Sequence, residues 1–168
     1  MNDLSPIAQH VKRSFTHWTS LMPLYENAAA LIRANLEQLV AGGRPKRVDV
    51  GELEDERFAE INHFRSENGL AVLTEKKLVF IGKHIYDGRL IKDRYSIDDV
   101  LDQIASAIDP CSVLQLTETG TALQNPNKRA DKYGNMVNDR VIFECSTCRP
   151  WIQLWSAIPI GDKNKPPK

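Results

Sequence analysis

Leu78-Val79-Phe80-Ile81-Gly82-Lys83-His84 is the stretch on which the reading of this 168-residue chain turns. Four consecutive apolar residues, rich in β-branched and aromatic side chains, have the composition of a strand buried in a sheet, and Gly82 closes it. Leu70 to Tyr86 therefore reads as two extended stretches separated by Glu75-Lys76-Lys77. Helical periodicity flanks this region on both sides. Glu54 to Ser66 places Phe58, Ile61 and Phe64 on one side and ends at Asn68-Gly69. Ser96 to Ile108 opens with a capping serine, carries Asp98 and Asp99 in its first turn, presents Ile97, Val100, Leu101, Ile104 and Ile108 as an apolar stripe, and stops at Asp109-Pro110. Strand signals dominate afterwards. Ser112 to Leu116 is one strand; Val141 to Cys145 and Trp151 to Ile158 are two more, joined as an antiparallel hairpin; the polar stretch Gln124 to Asn138 is a long loop or an irregular hairpin. Helices and strands that segregate in this way predict an α+β fold with a small antiparallel sheet.

Before Val48-Asp49-Val50, itself a short alternation, the pattern is helical. Ile7, Val11, Phe15, Trp18 and Met22 recur at helical steps, Pro23 kinks or divides the helix, and Leu24, Ala28, Leu31, Leu36 and Leu39 resume a similar pattern until Ala41-Gly42-Gly43-Arg44-Pro45 ends it. The predicted organisation is a helical arm over 1–43, an α+β domain over 44–160 and a disordered basic tail over 161–168. An apolar stripe on the arm has to be buried either on the domain or on another chain, so self-association through the arm is expected.

Composition narrows the function classes. Hydrophobic residues make up 42% and charged residues 26%, and 22 Lys and Arg balance 22 Asp and Glu, so a strongly basic whole-chain signature of nucleic-acid binding is missing and any basic patch is local. The longest uninterrupted apolar stretch, Ala28 to Ile32, is far too short to cross a bilayer, and the first residues carry no export signal. No membrane association is expected. Three cysteines, Cys111, Cys145 and Cys148, make no complete disulfide framework, and a reducing, cytoplasmic location is expected. The Cys145/Cys148 spacing suits a zinc knuckle or a redox pair, but structural zinc needs four ligands and a single pair at a hairpin turn reads as incidental. His10, His17 and Trp18 read as amphipathic surface. Neither a metal nor a cofactor is expected.

The order of elements from Val48, together with Val48-Asp49-Val50-Gly51-Glu52-Leu53, Leu78 to Ile85 with its Gly-Lys-His segment, Asp109-Pro110-Cys111-Ser112-Val113-Leu114 and a final hairpin carrying Ser156, resembles the phage- and toxin-associated branch of the barnase/EndoU/colicin/RelE-like nucleases. The resemblance spans about two-thirds of the chain and leaves the first forty residues unexplained. It implies metal-independent cleavage of RNA, in which the 2′-hydroxyl attacks the adjacent phosphorus, the 5′-oxygen leaves and a 2′,3′-cyclic phosphate remains. Such chemistry needs a proton acceptor, a proton donor and positive charge near the non-bridging oxygens. His84 suits either proton role. Arg89 and Arg94 are the cations expected to stabilise the transition state, and Ser156 matches the family's last-strand hydroxyl, although many relatives have Thr there and Trp155 precedes it here. Lys83, Lys128, Arg129 and Tyr133 are expected to bind substrate, the last three as cations and a stacking ring on the polar loop. Implied partners are RNA, transfer RNA among the candidates, and a cognate immunity or antitoxin protein, in the cytosol of a host or target cell.

Each feature has a plainer reading. His84 also suits a half-buried histidine bonded to a loop carbonyl, and Asp87, Asp93, Asp131 and Asp139 interleave with the cations in the manner of ordinary solvated loops. Taken that way, these features describe a noncatalytic protein–protein interaction module, such as a phage accessory or immunity-type protein.

Overall fold

In a computed structural model of the chain, the residues described are 24–109, 111–117, 120–144 and 151–161. Expectations for residues 1–23, Cys145, Cys148 and the tail 162–168 lie outside them. Four helices and seven strands follow one another along the described chain: α1 (Ala28–Val40), β1 (Val48–Glu52), α2 (Asp55–Glu67), β2 (Lys77–Phe80), α3 (Lys83–Ile85), a π-helical segment Tyr86–Lys92, α4 (Ile97–Ala107), β3 (Val113–Thr117), β4 (Gly120–Gln124), β5 (Arg129–Ala130), β6 (Met136–Glu144) and β7 (Ile152–Gly161). The fold is α+β.

The strands form one sheet in the order β1-β2-β7-β6-β4-β3, with β5 also paired to β6. Every pairing is antiparallel except that of β2 with β7. The sheet is thus mixed rather than wholly antiparallel. Its parallel pair is closed by a long connection that contains α4 and four strands, which is the kind of crossover parallel neighbours require.

Side-chain alternation divides the sheet into two faces. Val141 and Phe143 of β6 and their neighbours Leu123, Ala157 and Leu154 join Leu78, Phe80 and Ile152 in one apolar core with the helices. Full burial of Phe80 or Phe143 is worth about 1.5–3 kcal/mol each. Helix α4 lies on β6 and β7 and contributes Val100, Leu101, Ile104 and Ala107. Its start is locally encoded: the Ser96 hydroxyl accepts from the Asp99 amide at 3.0 Å and the Asp99 carboxylate accepts from the Ser96 amide at 2.7 Å, a reciprocal cap worth about 1 kcal/mol. Helix α1 packs on β1 and α4 and buries Ala28, Ile32, Leu36 and Leu39 in the same core. Over these residues the apolar stripe of the expected arm is therefore covered by the domain itself, and α1 stops where Gly42 takes φ +86°.

Four elements differ from the sequence expectation. Leu70 to Thr74 forms no strand, because α2 holds that backbone instead: the Asn62 side chain accepts from the Leu73 amide at 2.7 Å and donates to its carbonyl at 3.1 Å, and Arg65 donates to the Ala71 carbonyl. The second extended stretch ends at Phe80, and Lys83 onward is helical, since Gly82 at φ +82° turns the chain so that the Tyr86 amide reaches the Gly82 carbonyl at 2.8 Å. Gly120–Gln124 is an additional strand within a segment whose composition does not announce one. Finally, strict alternation, which in a regular strand sets Trp151, Gln153 and Trp155 on one face and Ile152, Leu154 and Ser156 on the other, fails in β7. Ile142 pairs with Ser156 and Phe143 with Leu154, so a bulge absorbs Trp155 and puts Leu154 and Ser156 on opposite faces instead of together.

Candidate functional site

His84 lies just past the point where β2, the strand next to edge strand β1, leaves the sheet. Gly82 reverses the backbone, α3 carries Lys83 and His84 into solvent, and Ile85 anchors the turn in the core. The bulge in β7 supplies the other half of this arrangement. Trp155 stacks on His84 with ring centroids 4.6 Å apart and planes within 15°. An exposed imidazole is thereby held flat against an indole, with both nitrogens at the ring edge rather than in the stack. The Lys83 ammonium bridges to Asp87 at 2.8 Å, one turn on, with both groups exposed, an i,i+4 pair worth only about 0.3–0.5 kcal/mol.

The arginines and the tyrosine assemble a second group at the far end of the π-helical segment. Arg89 pairs with Asp93 at 3.1 Å, and both side chains are largely covered. The Tyr133 hydroxyl donates to the Asp93 carbonyl at 2.7 Å. Arg94 is exposed and takes a left-handed conformation at φ +59°, and its carbonyl accepts from the Lys132 ammonium. Lys132 in turn lies 5.6 Å from the Tyr95 ring and 5.2 Å from that of Tyr133. Lys128 is exposed on the loop before β5.

Arg129 is engaged elsewhere. Its guanidinium forms a two-pronged contact with the wholly buried Asp139 of β6, with 3.0 Å between Nη2 and Oδ1. Burial opposes the arginine's charge, but the hydrogen bonds and field of Asp139 outweigh it and raise its pKa. Burial also raises the pKa of Asp102, and the charge of Arg129 opposes that shift. Breaking such a pair by removing one partner costs about 3–5 kcal/mol, which gives Arg129 a structural role independent of any ligand.

Ser156 lies on the sheet face away from the helices, opposite Ile142, and is 3% exposed. Its place next to Trp155 in sequence does not make it a neighbour of the imidazole in direction, because the bulge separates them. Among the described residues no hydrogen bond or ion pair joins His84 to Arg89, Arg94, Arg129, Ser156 or Tyr133, and no group of His, Cys, Asp and Glu is placed to hold a metal ion.

Sequence reasoning did not anticipate the stacking role of Trp155, since it depends on a bulge. Nor did it pick out Tyr95, which is buried and donates to Asp131 Oδ2 at 3.0 Å, while Asp131 Oδ1 accepts from the amides of Tyr133 and Asn135 at 2.9 Å each. Burial first, then the bond to Asp131, raises the Tyr95 phenol above its ordinary value of 10.0. The folded chain therefore keeps this proton at a pH where the unfolded chain loses it. The contribution is intact below pH 10.0 and declines as pH rises beyond it. Urea midpoints measured on either side of that pH should fall less steeply for Tyr95→Phe than for wild type; equal slopes would remove Tyr95 as the cause.

The site thus belongs to an α+β domain with helices packed on one face of a mixed sheet. No family model, curated protein or solved structure matches the chain.

Proposed function

We propose that the chain is an endoribonuclease of toxin-like type that needs no metal and leaves a 2′,3′-cyclic phosphate. The observation that carries the reading is the exposed imidazole of His84, oriented by Trp155 at the exit of strand β2. A ring held in this way exchanges a proton with substrate without first being desolvated or reoriented, which is what general acid–base catalysis asks of it. In this mechanism His84 removes the proton from the 2′-hydroxyl as that oxygen attacks phosphorus, or delivers one to the departing 5′-oxygen. Lys83 and Arg94, the exposed cations on either side of the π-helical segment, neutralise the phosphate. Arg89 acts from its pair with Asp93, Tyr133 and Lys128 contact the strand, and Ser156 and Arg129 support the sheet beneath. The substrate class is RNA, with transfer RNA the first to try, and a cognate immunity or antitoxin protein is the partner implied, in the cytosol.

Purified protein incubated with total RNA and with transfer RNA in EDTA is expected to cleave, and end-group analysis should find cyclic phosphates. His84→Ala is expected to reduce the rate about 10²–10⁴-fold while unfolding at the same urea concentration as wild type. Undiminished cleavage by the variant would sink the assignment of His84.

A second reading, a noncatalytic interaction module, is favoured by a different observation: the guanidinium groups of Arg89 and Arg129 are both neutralised by carboxylates of the chain. RNA left intact at high concentrations of folded wild-type protein is the result that selects it.

A further inference from the structure

The two edges of the sheet are treated differently. On β1 the pairing register slips between Asp49 and Gly51, Leu24 bridges to Gly51, and the Tyr25 amide donates to the Val50 carbonyl at 2.8 Å. Asp49 and Glu52 add charge along this strand, and Arg47 lies beside it, bonded to Asp49 at 3.0 Å. A bulge, a covering segment and charges are the usual devices that stop one sheet from adding to another.

Among the described residues, edge strand β3 has none of them. Val113-Leu114-Gln115-Leu116-Thr117 contains no charge and no proline, and its register with β4 runs without a slip from Val113 against Gln124 to Thr117 against Gly120. Among the described residues β4 is its sole strand partner, and Val113 is 61% exposed. Beside it, on the sheet face away from the helices, lies a shallow groove of about 230 Å³ lined by Val113, Gln115, Ala122, Gln124, Pro126 and Arg140.

We infer that β3 is a self-association edge, on which a second copy of this chain adds its own β3 antiparallel about a two-fold axis through Gln115. The occupant follows from the strand's symmetry. Read in either direction from Gln115, the positions are leucine and then a β-branched residue. Antiparallel pairing about that centre therefore sets Gln115 against Gln115, Leu114 against Leu116 of the second copy, and Val113 against its Thr117. Like meets like with no charge to repel, as an isologous interface requires. A different protein would not need this palindrome. Self-association through α1 is not open to the same degree, since its stripe is buried in the core.

Five-residue strands bury less area than a standard interface, so the dimer belongs to the weak class, with a dissociation constant of about 1–100 µM. Sedimentation velocity of the full chain across that range should show the mass rising from one chain to two. Gln115→Lys and Gln115→Glu, each placing like charges opposite one another, are expected to weaken association about tenfold or more. An equimolar mixture of the two should restore the wild-type constant to within about threefold, because the charges are then opposite. Restoration also demands that both variants be folded. Should either fail to fold, amide exchange of wild type decides: the β3 amides gain protection as concentration rises. A wild type that stays monomeric across the range, variants that associate undiminished, or a mixture that recovers nothing would each overturn the proposal; the first of these would leave the edge to a strand from another protein.

Discussion

Gly120→Ala is expected to lose about 4 kcal/mol or more of folding stability. A Cβ at this position would stand 2.8 Å from the Glu144 Cα and closer still to the Phe143 carbonyl oxygen. Both obstacles are backbone of β6, which is locked between β4 and β7, and the Phe143 side chain is wholly buried in the core. Nothing at the contact is the free end of a flexible side chain, so relief requires the β4–β6 pair to part at Gly120–Glu144. For a chain of this size the loss corresponds to a fall in Tm of about 10 °C. Gly134→Ala is the matching control. Gly134 is at φ +81° but faces open space, so its substitution should cost only the left-handed strain of about 1 kcal/mol. Urea denaturation of the two variants in parallel measures the difference, and a Gly120→Ala protein within about 1 kcal/mol of the control would show that β4 and β6 leave room for a Cβ at this position.

Gly82→Ala is expected to combine both penalties and to carry them into the candidate site. The residue is at φ +82°, and a Cβ would meet Asn35 Oδ1 at 2.5 Å and Phe80 Cε2 at 2.9 Å. Phe80 is fully buried, and the Asn35 side chain is tied to the Lys46 carbonyl at 2.9 Å, so neither yields cheaply. Strain and clash together should cost about 3 kcal/mol. The functional consequence is separate from the stability loss. His84 lies two residues on, and the stack with Trp155 depends on the turn that Gly82 makes. In wild type the indole should shift the His84 ring protons upfield; in folded Gly82→Ala this shift should collapse, and RNA cleavage, where present, should fall with it. A variant that retains both the ring shift and the stability would show that the turn is not set by Gly82.

Much of the fold is readable where the signal is local. Helix α4 is announced by Ser96, Asp99 and an apolar stripe because caps and helix faces involve residues within a turn or two of each other. Strand β2 and the β6–β7 hairpin are readable from composition and the short connection between them. By contrast, Gly120–Gln124 shows no clear alternation and becomes a strand because β3 and β6 flank it on both sides. Leu70 to Thr74 has apolar residues suited to a strand, yet side chains of α2 capture its backbone.

The candidate site divides along the same line. Position in sequence identified a histidine just after an apolar strand, with cations and interleaved aspartates following it; the pairing of Arg89 with Asp93 came only with the helical turn that forms there. Which partner each group finds across the sheet was decided by tertiary structure. Arg129 meets Asp139 because β5 pairs with β6; Trp155 meets His84, and Ser156 parts from Leu154, because one bulge shifts the β7 register. By itself the sequence determined helices α1, α2 and α4, the cap of α4, the buried character of β2 and an uncharged strand at Val113–Thr117, since each arises from interactions within a few residues, whereas the place of that strand at the edge of the sheet was decided by strand order. The parallel seating of β7 beside β2, the face each β7 side chain takes and the neutralisation of two arginines arise only on closure of the chain over many residues, where one extra residue in a strand reverses every direction after it.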